Sequence, residues 1–400
     1  MSFPEKNKII DECYNKSINL LIKNTNQYGV MAASCASLAR ERRYINIFGR
    51  DACICSMGMV ASQNEKLISA AKKSLKTLAQ YQSKLGQIPY SVNPARKETL
   101  FYYMGDKDST LWWLIALKFY YKYCGDKKLF NSLQPKVKKA LTWLFYQDQN
   151  NCGLIEQCEA SDWADLMPSN GSVLYTNVLW YKVLDLYGYK KEKGMVSDGL
   201  NNLFCPFEAN EKKSKFLQKD VYRVKLLKIL QNKMKPKPYY LNYVSSFYAN
   251  NHCDVYGNIL AILFDIADKK KSETIIKYLI RKKISHFHPV QVFFPPVQKK
   301  DDDWRDYFHH KKLNLPFGYQ NGGIWPYIGG FWVIALAKLG KNKLAWSELE
   351  KLAQANRANN WQFNEWFHGK TGKPMGMPGQ SWNAGTYLLA FHYLKHEIKL

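Results

Sequence analysis

Two carboxylates stand apart from the other acids of this chain because of their neighbours. Asp165 lies in Ser161-Asp162-Trp163-Ala164-Asp165, two residues after a Trp and shortly before an apolar run. Glu365 lies in Phe363-Asn364-Glu365-Trp366-Phe367, followed by the turn-forming stretch HGKTGKP. An acid set among aromatic rings loses hydration, and that loss raises its pKa toward neutrality. Two such acids, one protonating a leaving oxygen and the other activating water or attacking carbon, are what cleavage of a glycosidic bond requires. Asp162 is a rival to Asp165 in the same loop, and either could instead cap a helix. The plain alternative for Glu365 is a structural salt bridge.

The residues around these acids suit a hydroxyl-rich ligand. Segments FGRDACI (48–54), DKDSTLWW (106–113), ASDWADLMPSNG (160–171), NGGIWPYIGG (321–330) and PGQSWNAGTY (378–387) mix aromatics, acids, amides and glycines. Six of the 12 Trp fall in or beside such segments or the Glu365 loop: Trp112, Trp113, Trp163, Trp325, Trp366 and Trp382. Indole rings stack on the C–H faces of sugars, while Asp, Asn, Gln and Arg bond the hydroxyls. Arg50 and Asp51 could clamp adjacent hydroxyls, or form a buried ion pair at a helix start. Asp108 reads as a second-tier contact, and equally well as the N-cap of the helix after it.

Each of these segments feeds an apolar stretch of helical length. Leu111–Tyr123 is stopped by Gly125-Asp126, and Leu174–Leu186 is followed by Gly188. Asn258–Ala267 and Gly330–Leu339 repeat the design. The turns CGDKKL (124–129), ADKKKS (267–272) and LGKNKL (339–344) then lead into second, Lys-rich helices. This is the pattern of stacked helical hairpins. Strand signals are few, and QVFFPPV at 291–297 is the clearest, its prolines making it a loop or a short edge strand. In a ring of hairpins the loops ahead of the apolar helices open on one end, which would gather the segments above into one site.

Bulk properties narrow the class. No linker-like stretch divides the 400 residues, so one helical domain over 1–400 is expected. No apolar run is long enough for a transmembrane helix, and the start MSFPEKNKIIDE has no signal core, so no membrane association is expected. The nine Cys are scattered and odd in number, which favours free thiols in a reducing cytoplasm. The net charge of +25 raises a nucleic-acid partner, but the excess is nearly all Lys, densest from Lys212 to Lys237, and only nine Arg occur. A solvated surface is the expected reading. GxSxG, P-loop and HExxH motifs are absent, and His286/His288 and His309/His310 lack a third ligand at zinc-like spacing.

These segments, in this order, resemble the (α/α)6-barrel glycoside hydrolases, in particular the neutral/alkaline invertase family and the related bacterial amylo-α-1,6-glucosidase (glycogen-debranching) domains. The similarity runs from about Ala33 to Phe391. FGRDACI is similar to the group's Arg-Asp motif, which implies that Arg50 and Asp51 hold the terminal sugar. DSTLWW, with Asp108 and Trp112, is similar to the invertases' Asp-Ser-Gly-Leu-Trp-Trp. DWADLMPSNG corresponds to the acid-bearing loop, where related enzymes carry Trp-x-acid, and this favours Asp165. DVYGNILAIL (254–263) and YQNGGIWPY (319–327, with Asn321 and Trp325) resemble further family segments. FNEWFHGKTGKPMGMPGQSWNAGTYLLA resembles the last motif, which implies Glu365 as base and Gln380 as a sugar ligand. The acid loop departs from the invertases' Ile-Asp-Arg-Arg-Met-Gly-Ile-His-Gly, and Asn-Glu-Trp replaces Pro-Glu-Tyr-Tyr.

The expectation is therefore an all-α (α/α)6 barrel that hydrolyses an α-glucoside: an oligosaccharide, a branch point or sucrose. Asp165 is the acid, Glu365 the base, and Arg50, Asp51, Asp108, Trp112, Asp162, Trp163, Asn321, Trp325, Gln380 and Trp382 contact the substrate. The resemblance implies inversion, with the carboxyls roughly 6.5–9.5 Å apart. No metal or organic cofactor is required, and the partner is a small carbohydrate. The alternatives are a non-hydrolytic barrel, either a carbohydrate-binding relic or a sugar epimerase, the latter needing a pair of central bases, and a basic nucleic-acid scaffold.

Overall fold

The structure, a computed structural model, describes residues 7–102, 105–246 and 248–400, with the side chain of Lys311 excepted. The first six residues of the expected non-signal start lie outside the described residues.

Twelve of the sixteen α-helices among the described residues alternate between two layers. The outer layer comprises α1 (Lys8–Lys23), α3 (Glu65–Gln80), α5 (Gln134–Phe145), α7 (Lys190–Leu203), α9 (Lys269–Arg281) and α11 (Asn342–Trp361, which kinks at Ala358). The inner layer comprises α2 (Gly49–Ala61), α4 (Asp108–Cys124), α6 (Leu174–Leu186), α8 (Val255–Leu263), α10 (Pro326–Lys338) and α12 (Ser381–Leu394). Each inner helix packs on the next inner helix along the chain, and α12 packs on α2, which closes the ring. This is the expected (α/α)6 architecture.

Composition explains which helix goes where. Every residue of α2, α8 and the first eleven positions of α10 is buried, so these helices have no polar face to offer water. Helix α3 buries only a stripe that includes Leu67, Ala70, Ala71, Ser74, Leu75 and Leu78, the i, i+3, i+4 spacing of an outer helix. The Lys-rich turns act as hairpin connections: Asp126 and Asp268 each accept a bond from a backbone N–H three residues on and so cap the helix that follows. Apolar periodicity located the inner helices but set some starts late. Helix α8 begins at Val255 and α10 at Pro326, because residues before the apolar run already have helical geometry. The expected cap at Asp108 belongs instead to Asp106, whose carboxylate accepts from the Ser109 N–H at 3.0 Å and the Ser109 hydroxyl at 2.7 Å.

Close approach of inner helices depends on glycine. A Cβ on Gly58 of α2 would lie 1.8 Å from the Gly385 carbonyl oxygen of α12, and a Cβ on Gly385 would lie 2.8 Å from the Cys55 Cα. The obstacles are backbone atoms, which cannot swing aside. Gly58→Ala is expected to destabilise the fold by about 3 kcal/mol or more, read as a lower urea midpoint, whereas Gly194→Ala, with open space around it and no left-handed φ, should cost far less.

Short strands knit the loops at the end where the inner helices begin. Ile47–Phe48 pairs with Ser91–Asn93, which pairs with Glu98–Leu100, and Gly171–Val173 is flanked by Glu156–Gln157 and Tyr243–Val244. Phe293–Phe294, inside the segment read as a loop or edge strand, pairs with Cys253–Asp254 just ahead of α8. The turn expected after Glu365 is a small hairpin of Trp366–Phe367 on Pro374–Met375. All nine Cys are free thiols, and no helix of the described residues is long and apolar enough to cross a membrane.

Candidate active site

The first turn of α2 supplies the floor of the site. Arg50 is buried and its Nη1 donates to both carboxylate oxygens of Asp108 on α4, at 3.2 and 3.0 Å. Asp108 also accepts from the Tyr175 hydroxyl at 2.9 Å, and Tyr175 in turn accepts from Trp112 Nε1 at 2.8 Å. This relay runs downward into the barrel. Two expected substrate contacts are thus placed away from the cavity lining: Asp108 holds Arg50, and Trp112 is a fully buried core ring. Arg50 Nε and Asp51 Oδ2 lie 3.7 Å apart, and each is buried without a hydrogen bond. Burial raises the Asp51 carboxyl to about 6 despite the adjacent guanidinium.

Three indoles form the walls. Trp163 and Trp325 meet edge to face at 5.7 Å, and so do Trp325 and Trp382. Tyr327 stacks under Trp382 at 4.0 Å, which fixes that ring's plane. The arrangement follows from local sequence: Pro326 and Ser381 start α10 and α12, so the Trp beside each start is aimed at the shared end.

The two carboxylates come from loops on different sides of this bowl. Half-buried Asp165 accepts from Gln320 Nε2 at 2.8 Å, and its pKa is raised by burial. Gln320 also donates to the Trp163 carbonyl at 2.7 Å and accepts from the Leu166 N–H at 2.8 Å, so one amide clamps the whole acid loop. Glu365 is buried, accepts from the Tyr44 hydroxyl at 2.7 Å and from the Met377 N–H at 2.9 Å, and is pushed up to about 7. Desolvation drives that rise; the two donors oppose it, and the charges of Asp51 and Asp165 add to it.

Arg50, Asp51, Trp163, Asp165, Trp325, Glu365 and Trp382 all line one cavity of about 200 Å³. A cavity of about 150 Å³ is enough to hold benzene, so this one has room for about one six-membered sugar ring. Asp162, Asn321 and Gln380 are not among its lining residues. Asp162 is fixed by Gln157 Nε2 and the Ala164 N–H, both at 2.7 Å, and holds the loop's shape. Asn321 bonds the Val297 N–H at 2.7 Å and its carbonyl at 3.0 Å. Gln380 is fully buried at the start of α12 and neither amide atom has a partner among the described residues.

Tyr44, Tyr90 and Tyr319 also line the cavity; Tyr44 and Tyr90 carried no sequence signal, while Tyr319 opens the YQNGGIWPY segment but was not itself singled out. Gln320 stood one residue from Asn321 in a motif already singled out, but the chain alone does not tell which amide turns inward. Tyr44→Phe removes a donor that favours charged Glu365, so the Glu365 pKa should rise further. Any activity that needs ionised Glu365 should then shift its rising limb to higher pH, read from a kcat/KM–pH profile.

The family model of alkaline and neutral invertase matches residues 220–397. Alkaline/neutral invertase C, mitochondrial, of Arabidopsis thaliana is 23% identical over 331 residues, covering 73% of this chain and 49% of that protein. Neutral/alkaline invertase 1, mitochondrial, of Oryza sativa subsp. japonica is 24% identical over 332 residues, covering 70% and 50%. The chain thus spans about half the length of the curated relatives it matches. In structure it is similar to GH63 mannosylglycerate hydrolase from Thermus thermophilus, solved in complex with glucose, with a TM-score of 0.67 at 12% identity over 94% of this chain and 99% of that one. By its fold this chain is an (α/α)6 barrel of the six-hairpin glycosidase type, and by sequence it resembles the alkaline and neutral invertases.

Proposed function

We propose that the chain is a glycoside hydrolase acting as one catalytic domain over residues 1–400, with Asp165 as general acid and Glu365 as general base. The observation that carries this reading is the meeting of two carboxylates, from loops far apart in sequence, on one indole-walled cavity sized for a single sugar ring. Arg50 and Asp51 on the floor, each with an unsatisfied buried polar atom, suit the hydroxyls of a terminal sugar. The substrate on this reading is an α-glucoside, its terminal unit in the cavity and its leaving group toward solvent. The names of the relatives and the glucose held by the Thermus hydrolase agree with such a ligand.

The acid and base roles rest on hydrogen bonding. Both oxygens of Glu365 already accept bonds, which favours the carboxylate and leaves its remaining lone pairs to take a proton from water. Asp165 accepts one bond, at Oδ1, which leaves Oδ2 to carry a proton to the leaving oxygen. Inversion is the stereochemical course proposed, and it asks for roughly 6.5–9.5 Å between the carboxyls. No histidine lines the cavity, which argues against the epimerase alternative. The free thiols suit a reducing compartment such as the cytoplasm.

The test is a panel of α-glucosides (sucrose, trehalose, isomaltose and a branched glucan) followed by proton NMR. Appearance of β-glucose before mutarotation supports inverting hydrolysis. Release of the terminal glucose as the α anomer from sucrose, or as α in excess of what the leaving glucose of trehalose or isomaltose contributes, would refute inversion, and no turnover of any member would refute the α-glucosidase reading.

A further inference from the structure

The rim of the cavity is as distinctive as its floor. Arg42 and Arg43 line the mouth together with Leu100, and all three are exposed, whereas Arg50, Asp51, Trp325 and Trp382 at the bottom are buried. A ligand that seats a sugar ring on the floor must therefore present its leaving group to the two arginines.

Local structure puts them there at a cost. The short helix Ser37–Glu41 ends at Arg42, and Arg43 takes a left-handed φ of 63°, which turns the chain back so that the Tyr44 N–H reaches the Ala39 carbonyl at 2.8 Å. A non-glycine residue in that region is disfavoured by about 1 kcal/mol or more. The reversal places Arg43 and Tyr44, the donor to Glu365, against the same cavity.

Neither guanidinium makes an ion pair among the described residues. The cavity carboxylates draw their hydrogen bonds elsewhere, Glu365 from Tyr44 and Met377 and Asp165 from Gln320. The residue type matters as well. Only nine of the 58 basic residues are Arg, and three of the nine fall at positions 40, 42 and 43. A planar fork fits an oxyanion in two-point geometry that Lys cannot supply. The net charge of +25 adds a field that draws anions toward the molecule. Within the cavity, the carboxylates of Asp51 and Glu365, when ionised, repel a negative group, which favours an anion at the mouth.

We propose that Arg42 and Arg43 receive a carboxylate or phosphate on the leaving-group side of the substrate, so that the preferred substrate is an acidic glycoside. This inference rests on the hydrolase reading, and the experiment separates the two. Compare kcat/KM for 4-carboxyphenyl α-D-glucoside with that for 4-(hydroxymethyl)phenyl α-D-glucoside, and for sucrose phosphorylated on its fructosyl unit with that for sucrose. The acidic member of one pair should be preferred by about tenfold at low salt, and which pair shows it identifies the anion. The preference should fall to about onefold in Arg42→Gln/Arg43→Gln and persist in part in Arg42→Lys/Arg43→Lys, which keeps charge without the fork. Equal use of both members by the unaltered protein, or an unchanged ratio in the Gln variant, would overturn the proposal. If nothing is cleaved, the hydrolase reading fails by itself. Titration of Trp fluorescence in Glu365→Gln with the same compounds then decides the rim: tighter binding of an acidic member, lost when both arginines are Gln, supports it, and equal affinity refutes it.

Discussion

Glu365→Gln is expected to lower hydrolysis by about 10²–10⁴-fold, the range for loss of a positioned general base, with the helical circular dichroism unchanged. Gln keeps the size and an accepting oxygen but cannot take a proton from water. The pH dependence carries the assignment. A base must be ionised, and Glu365 is pushed up to about 7, so kcat/KM of the unaltered protein should climb as pH rises through about 7. If Glu365 were the acid instead, the same group would produce a fall over that interval. The sign of that limb therefore separates the two roles.

The same substitution has an opposite effect on stability. The folded pKa of Glu365 lies above its ordinary value of 4.5, so folding favours the protonated form. The stability this provides is present below about 4.5 and is lost as pH rises toward about 7. Above that interval the ionised carboxylate costs on the order of 3 kcal/mol, from roughly 1.4 kcal/mol per pKa unit. Glu365→Gln should therefore melt higher than the unaltered protein at pH 8, with the difference shrinking by pH 4. A variant that loses activity and also melts lower at pH 8 would point to a structural role for Glu365.

Asp165→Asn is the second large effect, again about 10²–10⁴-fold on a sugar leaving group. Its magnitude should depend on the leaving group. A sugar alkoxide is a poor leaving group and needs the proton that Asp165 is proposed to donate, whereas a nitrophenolate leaves without one. The loss on 4-nitrophenyl α-glucoside should be much smaller than the loss on sucrose or isomaltose. Equal losses on both would remove Asp165 as the acid. Asp162→Asn is the control in the same loop. Its carboxylate is bonded to Gln157 and the Ala164 N–H away from the cavity, so a leaving-group dependence there would reverse the choice between the two acids.

The helical hairpins were legible in the chain because burial leaves a direct compositional trace, and the resemblance to the (α/α)6 glycoside hydrolases implied their closure into a ring. A helix with no polar face must lie inside, and Leu174–Leu186 falls on the same residues in the structure as in the periodicity. Glycine and Asp-Lys turns marked the reversals after α4, α6, α8 and α10 for equally local reasons. Residue type also marked Asp165, Glu365, Arg50, Asp51, Trp163, Trp325 and Trp382, which the fold brings to one cavity.

What the sequence could not decide is the direction of each polar side chain. Asp108, Trp112 and Asn321 sit in segments as suggestive as the rest, yet they bond within the protein, while Gln380 is fully buried outside the cavity lining. Gln320 and Tyr44 hold the two carboxylates and are ordinary in type and context. Partners 321 residues apart, such as Tyr44 and Glu365, become neighbours only once the ring has closed. Periodicity is a property of adjacent residues, whereas a hydrogen bond between loops depends on how six helix ends are placed around an axis. Sequence thus determined the barrel and the pool of candidate groups. Tertiary structure alone decided which of them face the cavity, because that choice is made by packing between segments that share no local pattern.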